Sequence, residues 1–462
     1  MISMMRTWLS KLLEYCRKLT PDWQFALGGF VVLRLALTFW SLIIYMVVPV
    51  ALQNLDLSGT PVLAVFDLHS GERYTYSREL NGEVLSFHAL DSSYLIDEQT
   101  GSLWTLRGGK AIKGFYAGRS LTTSSYSPES IFPYEGVAPA GTIFLSLWQR
   151  FDANWYLKIA ARGYAGTDGS SVYFPLYPIL IRALTYFSEP MFAAIFISNL
   201  ALLGSLVLFY RIVTGIANAA IARRSLIYFL IFPTSFFLSA PYTESLFLLF
   251  VLASFYCAFR KRWGWAVLWG MFSALARLQG VLLIIPLAYM LWQESHHTAS
   301  GKQLIRRAVP LLMIPLGTFL FLGFTNLSLI GTYQDTLHAR FVLPWENIYA
   351  NISLLMSGRG SVIDALNLIA ATGLIGMLYS VWKKLPLEYT IYALLMILAP
   401  MLRMTTTQPL VSMTRYALVV FPMFVVLGIW GENPWANRMI VYIFVPLQLY
   451  LSAQFILWGW VA

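Results

Sequence analysis

Charged residues are scarce in this 462-residue chain: Asp, Glu, Lys and Arg fill 12% of positions, against about 25% in typical soluble domains. That shortage excludes an ordinary soluble enzyme, and the 58% of hydrophobic residues excludes a disordered protein. Cysteine is also rare, and its two residues exclude a small fold held by disulfides. A mean hydropathy of +0.63 leaves a polytopic membrane protein.

The sequence also lacks the short motifs of many catalysts. It contains no P-loop, no CxxC, no HExxH, no GxGxxG in a βαβ setting and no GxSxG with triad partners. Its five histidines do not form a metal-binding pattern, so a His-rich metal centre is not expected. We expect no required cofactor, while the use of a divalent metal stays open. The net charge of +10 is typical of cytoplasmic loops that face anionic lipid, so the expected partners include membrane lipids and exclude nucleic acid.

Long apolar runs recur along the chain, and a membrane-spanning helix needs about 20 such residues. The runs predict an all-α polytopic fold with about 11 transmembrane helices (range about 9–12). They lie at 24–51, 191–213, 224–240, 244–260, 264–278, 280–293, 308–330, 363–382, 388–402, 411–430 and 437–460. The pair at 264–293 is expected to form a hairpin, or else one bent helix. As a hairpin it places the Lys and Arg clusters together on the cytoplasmic side.

We divide the sequence into three parts. Residues 1–52 combine a basic amphipathic N-terminal helix with the first transmembrane helix. Residues 53–141 are rich in Gly, Ser, Thr and Asp, with short alternating runs separated by SGE, NGE and TGS, which predicts a small β-rich extracytoplasmic insert. Residues 142–462 hold an interfacial catalytic helix and the remaining transmembrane bundle.

Ionisable residues collect at the outer ends of the predicted spans, where such groups are costly and usually functional. They are Asp152, Glu244, Arg277, Arg403 and Arg415. Asp152 shares a helix face with Trp155, Tyr156 and Ile159 at i, i+3, i+4 and i+7. It could take a proton from an acceptor hydroxyl, or it could merely be a solvated residue of an interfacial helix.

The other candidates also have structural alternatives. Glu244 could orient the acceptor or tune the Asp152 pKa, or it could simply favour the start of its helix. The arginines could bind a lipid phosphate or extend to the headgroups. Aromatic and polar residues could line a sugar or lipid path, or be packing: Trp155, Tyr156, Tyr173, Tyr177, Tyr242, Gln279 and Tyr416. Pro175 and Pro178 predict that no regular helix begins before Pro178. The 331–361 segment could cover the site or merely join two helices.

Several of these motifs occur in the order of a known family. They include Phe151-Asp152-Ala-Asn-Trp-Tyr with Gly163-Tyr164, Phe174-Pro175-Leu-Tyr-Pro178, Ser198-Asn199, Tyr-Thr-Glu244-Ser-Leu-Phe, Arg277-x-Gln-Gly280, and Arg415-Tyr416 followed by Phe421-Pro422. Together they resemble the polytopic mannosyltransferases that add the second mannose of glycosylphosphatidylinositol, and more closely their bacterial relatives. Phe151 departs from the usual Trp of that pattern, and the 53–141 insert is longer than expected.

The resemblance implies a GT-C type glycosyltransferase with an extracytoplasmic active site, in a multi-pass protein of a prokaryotic plasma membrane. The donor would be a polyprenyl-phosphate sugar, expected to be mannose, transferred with inversion to an unidentified lipid, glycan or protein acceptor. Asp152 matches the position of the base, and Glu244, Arg277 and Arg415 match by motif. The alternatives are a transporter or flippase for a lipid-linked sugar and a non-catalytic lipid-sugar binding protein. Transporters tend to place such charges at the midplane within paired repeats.

Overall fold

The computed structural model describes residues 19–165, 168–295, 300–325, 339–405 and 408–461. Over these ranges the chain is mostly helical with small sheets, and it divides into two compact units. One comprises the described residues up to 35, from 159 to 449, and 461; the other comprises 36–158 and 450–460. The predicted basic N-terminal helix, with Asp335 and His338 of the 331–361 segment, lies outside the described residues.

Most of the longer helices lie within the apolar runs of the sequence, and several shorter helices lie between them. They are Pro21–Val47, Pro128–Ile131, Ile143–Ser146, Asp152–Arg162, Leu176–Leu184, Pro190–Ile216, Ala219–Leu230, Glu244–Phe259, Trp263–Ala276, Ile284–Ser295, Gly301–Ala308, Met313–Thr325, Pro344–Met356, Val362–Lys384, Leu387–Met401, Met413–Tyr416, Phe421–Trp430 and Pro434–Ile456. Short 3-10 helices are Ser170–Val172, Ser235–Leu238, Leu278–Leu283, Val309–Leu312 and Ala417–Val419.

Five helical segments in the described ranges are long and apolar enough to cross a membrane. They are Pro21–Val47, Pro190–Ile216, Gly301–Gly323, Val362–Lys384 and Pro434–Ile456, and a bent pair, Met413–Val419 with Phe421–Trp430, would make a sixth. Each of the eleven apolar runs contains a helix, but the count of eleven spans is not confirmed. Several helices are short: the 16 residues of Glu244–Phe259 cover about 24 Å, against about 30 Å of hydrocarbon.

Two local expectations have different outcomes. The 264–293 region is not one helix, because the extended Arg277 and the 3-10 helix Leu278–Leu283 separate Trp263–Ala276 from Ile284–Ser295. The expectation that no helix begins before Pro178 is wrong, since the helix begins at Leu176. Pro178 lies in the first turn, where backbone N–H groups have no intrahelical acceptor, so the missing N–H costs nothing there.

The second unit contains the predicted β structure. Its strands are β1 (Val50–Leu57), β2 (Thr60–Asp67), β3 (Arg73–Ser77), β4 (Glu79–Leu80), β5 (Glu83–Val84), β6 (Phe87–Ala89), β7 (Tyr94–Asp97), β8 (Leu103–Thr105) and β9 (Ala111–Lys113). They form antiparallel sheets in the orders β1-β2-β3, β4-β5 and β6-β7-β8-β9. All three turn signals are confirmed, and Gly71, Gly82 and Gly101 have the positive φ that favours glycine there.

The β strands enclose a small core around Trp104, which is fully buried with Phe87 and Leu95. Asp97 lies inside this core, and its carboxylate accepts hydrogen bonds from Trp104 Nε1 at 2.8 Å and from the backbone N–H groups of Thr100 and Ser102. Burial alone would raise the pKa of Asp97, but these donors lower it below 3.8. The charged form is thus part of the folded core.

Candidate functional site: two arginines on one buried glutamate

Glu244, Arg277 and Arg415 meet in the first unit, although they are far apart in the sequence. Arg277 Nη1 donates to Glu244 Oε1 at 2.5 Å, and Arg415 Nε lies 3.3 Å from the same oxygen. The Glu244 side chain is 1% exposed, and the two arginine side chains are 11% and 12% exposed. One carboxylate therefore faces two guanidinium groups in a largely buried cluster of net charge +1.

Glu244 is the first residue of the helix Glu244–Phe259. A carboxylate is favoured there because the helix N-terminus carries partial positive charge, so part of its role is structural. Thr243 precedes it, and its Oγ1 accepts a second hydrogen bond from Arg277 Nη1 at 3.2 Å. Glu244 Oε2 is buried and has no hydrogen-bond partner among the described residues.

Arg277 is placed by the break between two helices. It caps the C-terminus of Trp263–Ala276 in an extended conformation, where a cation complements the helix dipole. Three residues later, Gly280 packs against the preceding helix so closely that a Cβ would lie 2.4 Å from backbone atoms of Ser273 and Ala274. The glycine of the Arg277-x-Gln-Gly280 motif thus permits the chain reversal that presents Arg277.

Arg415 lies in a single helical turn, Met413–Tyr416, that follows an unusual backbone segment. Leu410 and Ser412 both have positive φ, which is uncommon for residues with a side chain. Asn367 Oδ1 accepts a hydrogen bond from Thr414 N at 3.1 Å, which ties this turn to the helix Val362–Lys384. Such strained backbone, stabilised by its surroundings, is common at functional sites.

Aromatic rings flank both guanidinium groups. The Arg415 Cζ lies 5.5 Å from the Tyr242 ring centroid, 5.6 Å from that of Phe237 and 5.9 Å from that of Tyr416. The Arg277 Cζ lies 5.4 Å from the Tyr416 ring centroid. These distances are in the cation–π range, so the rings hold both side chains in place. Tyr242 and Tyr416 are thus brought to the predicted site. Phe237, the last residue of the Pro-Thr-Ser-Phe-Phe motif, joins them although no lining role was predicted for it.

Tyr177 is one of the predicted substrate-lining residues. It is fully buried, and its Oη lies 2.8 Å from both Ser198 Oγ and the carbonyl oxygen of Ala194. Ser198 Oγ donates in turn to the Tyr242 carbonyl at 2.9 Å, and Asn199 Nδ2 donates to the Ser239 carbonyl at 3.0 Å. The Ser198-Asn199 motif therefore fixes the turn that precedes Glu244.

Two buried asparagines of the helix Pro344–Met356 hold the segment around Arg403. Asn347 Nδ2 donates to the Arg403 carbonyl at 2.8 Å, and Asn351 Nδ2 donates to the Pro409 carbonyl at 3.4 Å. Arg403 itself lies in β11 (Arg403–Thr405), which pairs with β10 (Ala339–Phe341). The described part of the 331–361 segment thus includes a strand and a helix. Asn351 opens an Asn-Ile-Ser sequon, but its side chain is fully buried and unavailable for glycosylation in the fold.

Asp152 belongs to the second unit, where it begins the helix Asp152–Arg162 and is half-buried. The polar residues next to Asp152 in the sequence form hydrogen bonds that hold the surrounding backbone. Arg150 is buried and donates to the Ile456 carbonyl at 2.9 Å, while Gln149 and Asn154 hydrogen bond to each other at 2.9 Å. Phe151 has a φ of 48°. A rigid, strained turn therefore presents Asp152 at the helix start.

The aromatic residues on this helix differ in exposure. Trp155 is half-buried, and the ammonium group of Lys158 lies 4.3 Å from its ring centroid, whereas Tyr156 is buried. The helix itself confirms the local spacing argument, while its orientation along a membrane surface stays a prediction. In the first unit, Tyr173 and Gln279 are both half-buried. The described residues contain no cluster of three or more His, Cys, Asp or Glu side chains able to hold a metal, and the expectation that no cofactor is required stays a prediction.

Residues 128–347 match a family model described as mannosyltransferase (PIG-V). This match covers a little under half of the chain and supports its resemblance to the GPI mannosyltransferase family. The resemblance stated from the motifs is confirmed. The matched range contains Asp152, Glu244 and Arg277, whereas Arg403 and Arg415 lie beyond it. No curated protein matches the chain.

The mannosyltransferase assignment agrees with the apolar helices. Together they support a multi-pass integral membrane glycosyltransferase with mannose as its expected sugar. The family also implies a lipid-linked sugar donor and an acceptor. Two largely buried guanidinium groups beside Glu244 could attract an anionic donor group.

Proposed function

We propose that the protein transfers mannose from a polyprenyl-phosphate donor to an acceptor hydroxyl on the extracytoplasmic face of a prokaryotic plasma membrane. Transfer proceeds with inversion, with Asp152 as the general base. The observation that carries the proposal is the Arg277–Glu244–Arg415 cluster. The family match supports the reaction class, and the cluster supports a site for the donor phosphate in this unit.

Phosphate binding follows from the hydrogen-bonding capacity of the cluster. Each guanidinium group carries five N–H donors in a fixed plane that matches phosphate oxygens. Both contact a single carboxylate oxygen, Glu244 Oε1, so two such groups converge at one point of the first unit. As the sugar leaves, negative charge grows on the phosphate oxygen, and pre-positioned cations stabilise that charge. Arg403, on the segment held by Asn347, is proposed as a further contact.

Glu244 has a complementary role in this proposal. It holds the two guanidinium groups together and reduces their mutual repulsion before the donor arrives. Its second oxygen, buried and without a partner among the described residues, could accept a hydrogen bond from a hydroxyl of the bound sugar. Such a bond would satisfy a buried acceptor that otherwise costs free energy.

Asp152 is proposed as the base because it is the half-buried carboxylate that a rigid turn presents beside Trp155. It would remove the acceptor proton as the glycosidic bond forms, while the phosphate departs from the opposite face of the anomeric carbon. General base assistance contributes about 10²–10⁴-fold.

The test is a transfer assay with detergent-purified protein, polyprenyl-phosphate-mannose and a panel of lipid, glycan and peptide acceptors. Product formation without a second compartment supports an enzyme over a flippase or a binding protein. Asp152→Asn should lower turnover by about 100-fold or more with little change in donor KM. Asp56→Asn, an exposed carboxylate on β1, is the matched control. A loss of less than tenfold in folded Asp152→Asn would remove the base assignment.

A further inference from the structure

A cavity of about 760 Å³ lies in the first unit at the opposite end of the Glu244–Phe259 helix from Glu244. Phe259 and Arg260 line it, together with residues from the starts of Pro21–Val47 and Ala219–Leu230 and the end of Pro190–Ile216. Because the connecting helix has 16 residues, the cavity lies about 24 Å along its axis from Glu244. It is therefore separate from the candidate site. Its volume is within the range of about 300–1,000 Å³ that small-molecule sites occupy.

Three arginines line this cavity: Arg211, Arg223 and Arg260. Arg211 Nε is paired with Asp22 at 2.6 Å. Among the residues that the structure describes, no carboxylate lies within ion-pair distance of Arg223 or Arg260. The guanidinium of Arg223 lies over the Phe25 ring at 4.4 Å, and Arg260 packs against Tyr256. The lining therefore carries a net charge of +2.

The rest of the lining is largely apolar and aromatic. It includes Ile212, Ile216, Phe259 and Tyr389. A site that joins unneutralised guanidinium groups to apolar walls matches an amphiphile with an anionic head and a hydrocarbon tail. Basic pockets between membrane helices on the cytoplasmic side bind anionic lipid headgroups, and the distribution of Lys and Arg in the sequence predicts that this end is cytoplasmic.

We propose that this cavity binds the phosphate-bearing headgroup of an anionic phospholipid, with Arg223 and Arg260 on the phosphate and the apolar walls on the upper part of the acyl chains. Free phosphate and polyprenyl phosphate carry the same anionic group as the proposed phospholipid but differ from it in the rest of the molecule. Free phosphate lacks the tail, and polyprenyl phosphate lacks the glycerol headgroup. The proposal stands apart from the transfer reaction, since it concerns binding at the other end of the helix.

The test is native mass spectrometry of the delipidated full-length protein with added phosphatidylglycerol, phosphatidylcholine, polyprenyl phosphate or inorganic phosphate. Phosphatidylglycerol should bind at least tenfold more tightly than phosphatidylcholine. The double variant Arg223→Gln/Arg260→Gln should weaken phosphatidylglycerol binding by about 30-fold, which is about 2 kcal/mol at 1.4 kcal/mol per factor of ten. Arg438→Gln, an exposed arginine at the start of the last helix, should change binding by less than twofold.

A second variant tests the cavity without changing its charge. Ala219 lines the cavity, and Ala219→Trp should fill it and weaken phosphatidylglycerol binding by tenfold or more while the thermal unfolding temperature is retained. Equal binding of phosphatidylglycerol and phosphatidylcholine, or undiminished binding in folded double variant, would overturn the proposal. Full competition by equimolar inorganic phosphate would show a phosphate site without lipid selectivity, and preferential binding of polyprenyl phosphate would show a donor or product site; either result also rejects it.

Discussion

Glu244→Gln gives the sharpest test of the arginine cluster, because it should change protein stability and phosphate affinity in opposite directions. The substitution keeps the side-chain size but removes the charge that faces Arg277 at 2.5 Å and Arg415 at 3.3 Å. Removal of one partner from a buried ion pair costs about 3–5 kcal/mol, because the remaining charge is left uncompensated. Here two guanidinium groups remain, so we expect a loss at the upper end of that range in the absence of ligand.

Affinity for polyprenyl phosphate should rise in the same variant. The cluster changes from a net charge of +1 to +2, and the repulsion between Glu244 and a bound phosphate disappears. At about 6 Å separation and an effective dielectric constant of about 20, that repulsion is about 3 kcal/mol, or up to about 100-fold in affinity. After allowance for screening, we expect at least a tenfold lower Kd.

The assay is thermal unfolding of purified protein with and without polyprenyl phosphate, combined with direct binding measurements. Glu244→Gln should unfold at a lower temperature than wild type without ligand and recover most of the difference at saturation, since a ligand that binds only the folded state stabilises it. Glu388→Gln, a half-buried first-turn glutamate on the helix Leu387–Met401, controls for the helix dipole. An unchanged or weaker affinity in correctly folded Glu244→Gln would refute a phosphate site at the cluster.

Three further outcomes are expected. Gly280→Ala should displace Arg277, because its Cβ would collide with backbone atoms at 2.4 Å, and should raise the donor KM at least fivefold in the transfer assay while the protein still folds; an unchanged KM contradicts this. Asn367→Ala should lower the turnover number by a larger factor than the donor affinity, as measured by steady-state kinetics. It should also lower the free energy of unfolding by about 1–3 kcal/mol, as measured by unfolding in mixed micelles. Asp97→Ala should leave Trp104 Nε1 unpaired and cost about 2–5 kcal/mol. Because the pKa of Asp97 is lowered in the fold, its stabilisation should be present above pH 3.8 and disappear as the pH falls through the folded-state value. Hydrogen-exchange protection of β7 and β8, corrected for the intrinsic exchange rate, that stays constant as the pH falls from 5 through 3 would contradict this.

Local features of the sequence predicted much of the fold. The SGE, NGE and TGS turns and the helix that begins at Asp152 were all foreseeable, because each depends on residues within a few positions of one another. The number of membrane-spanning helices was harder to predict than these local features. Apolar run length does not reveal where 3-10 segments such as Leu278–Leu283 interrupt a helix, and these interruptions shorten several of the expected spans.

The candidate site was only partly predictable. Placement of Glu244, Arg277 and Arg415 on one face followed from the basic loops and apolar runs, and the structure brings these three together. The asparagines that hold neighbouring segments had no comparable signal. Asn347 and Asn367 lie in otherwise ordinary helices, and their role depends on carbonyl and N–H groups more than 45 residues away. Such partners become apparent only when the tertiary structure is known.

The three charges share a feature that explains why this cluster can exist in an apolar bundle. Each lies where regular helix stops: Glu244 at a helix start, Arg277 at a helix end, and Arg415 in a single turn before an 83° bend. Helix ends leave backbone polar groups that need partners in any case, so charged side chains there add less desolvation than they would in mid-helix. Irregular backbone within an apolar bundle is tolerated where it is buried in protein or lines a cavity. The helix breaks therefore bring together the charges that the proposed donor phosphate site requires. A substitution that restored continuous helix through Arg277 should abolish transfer even with every charged residue retained.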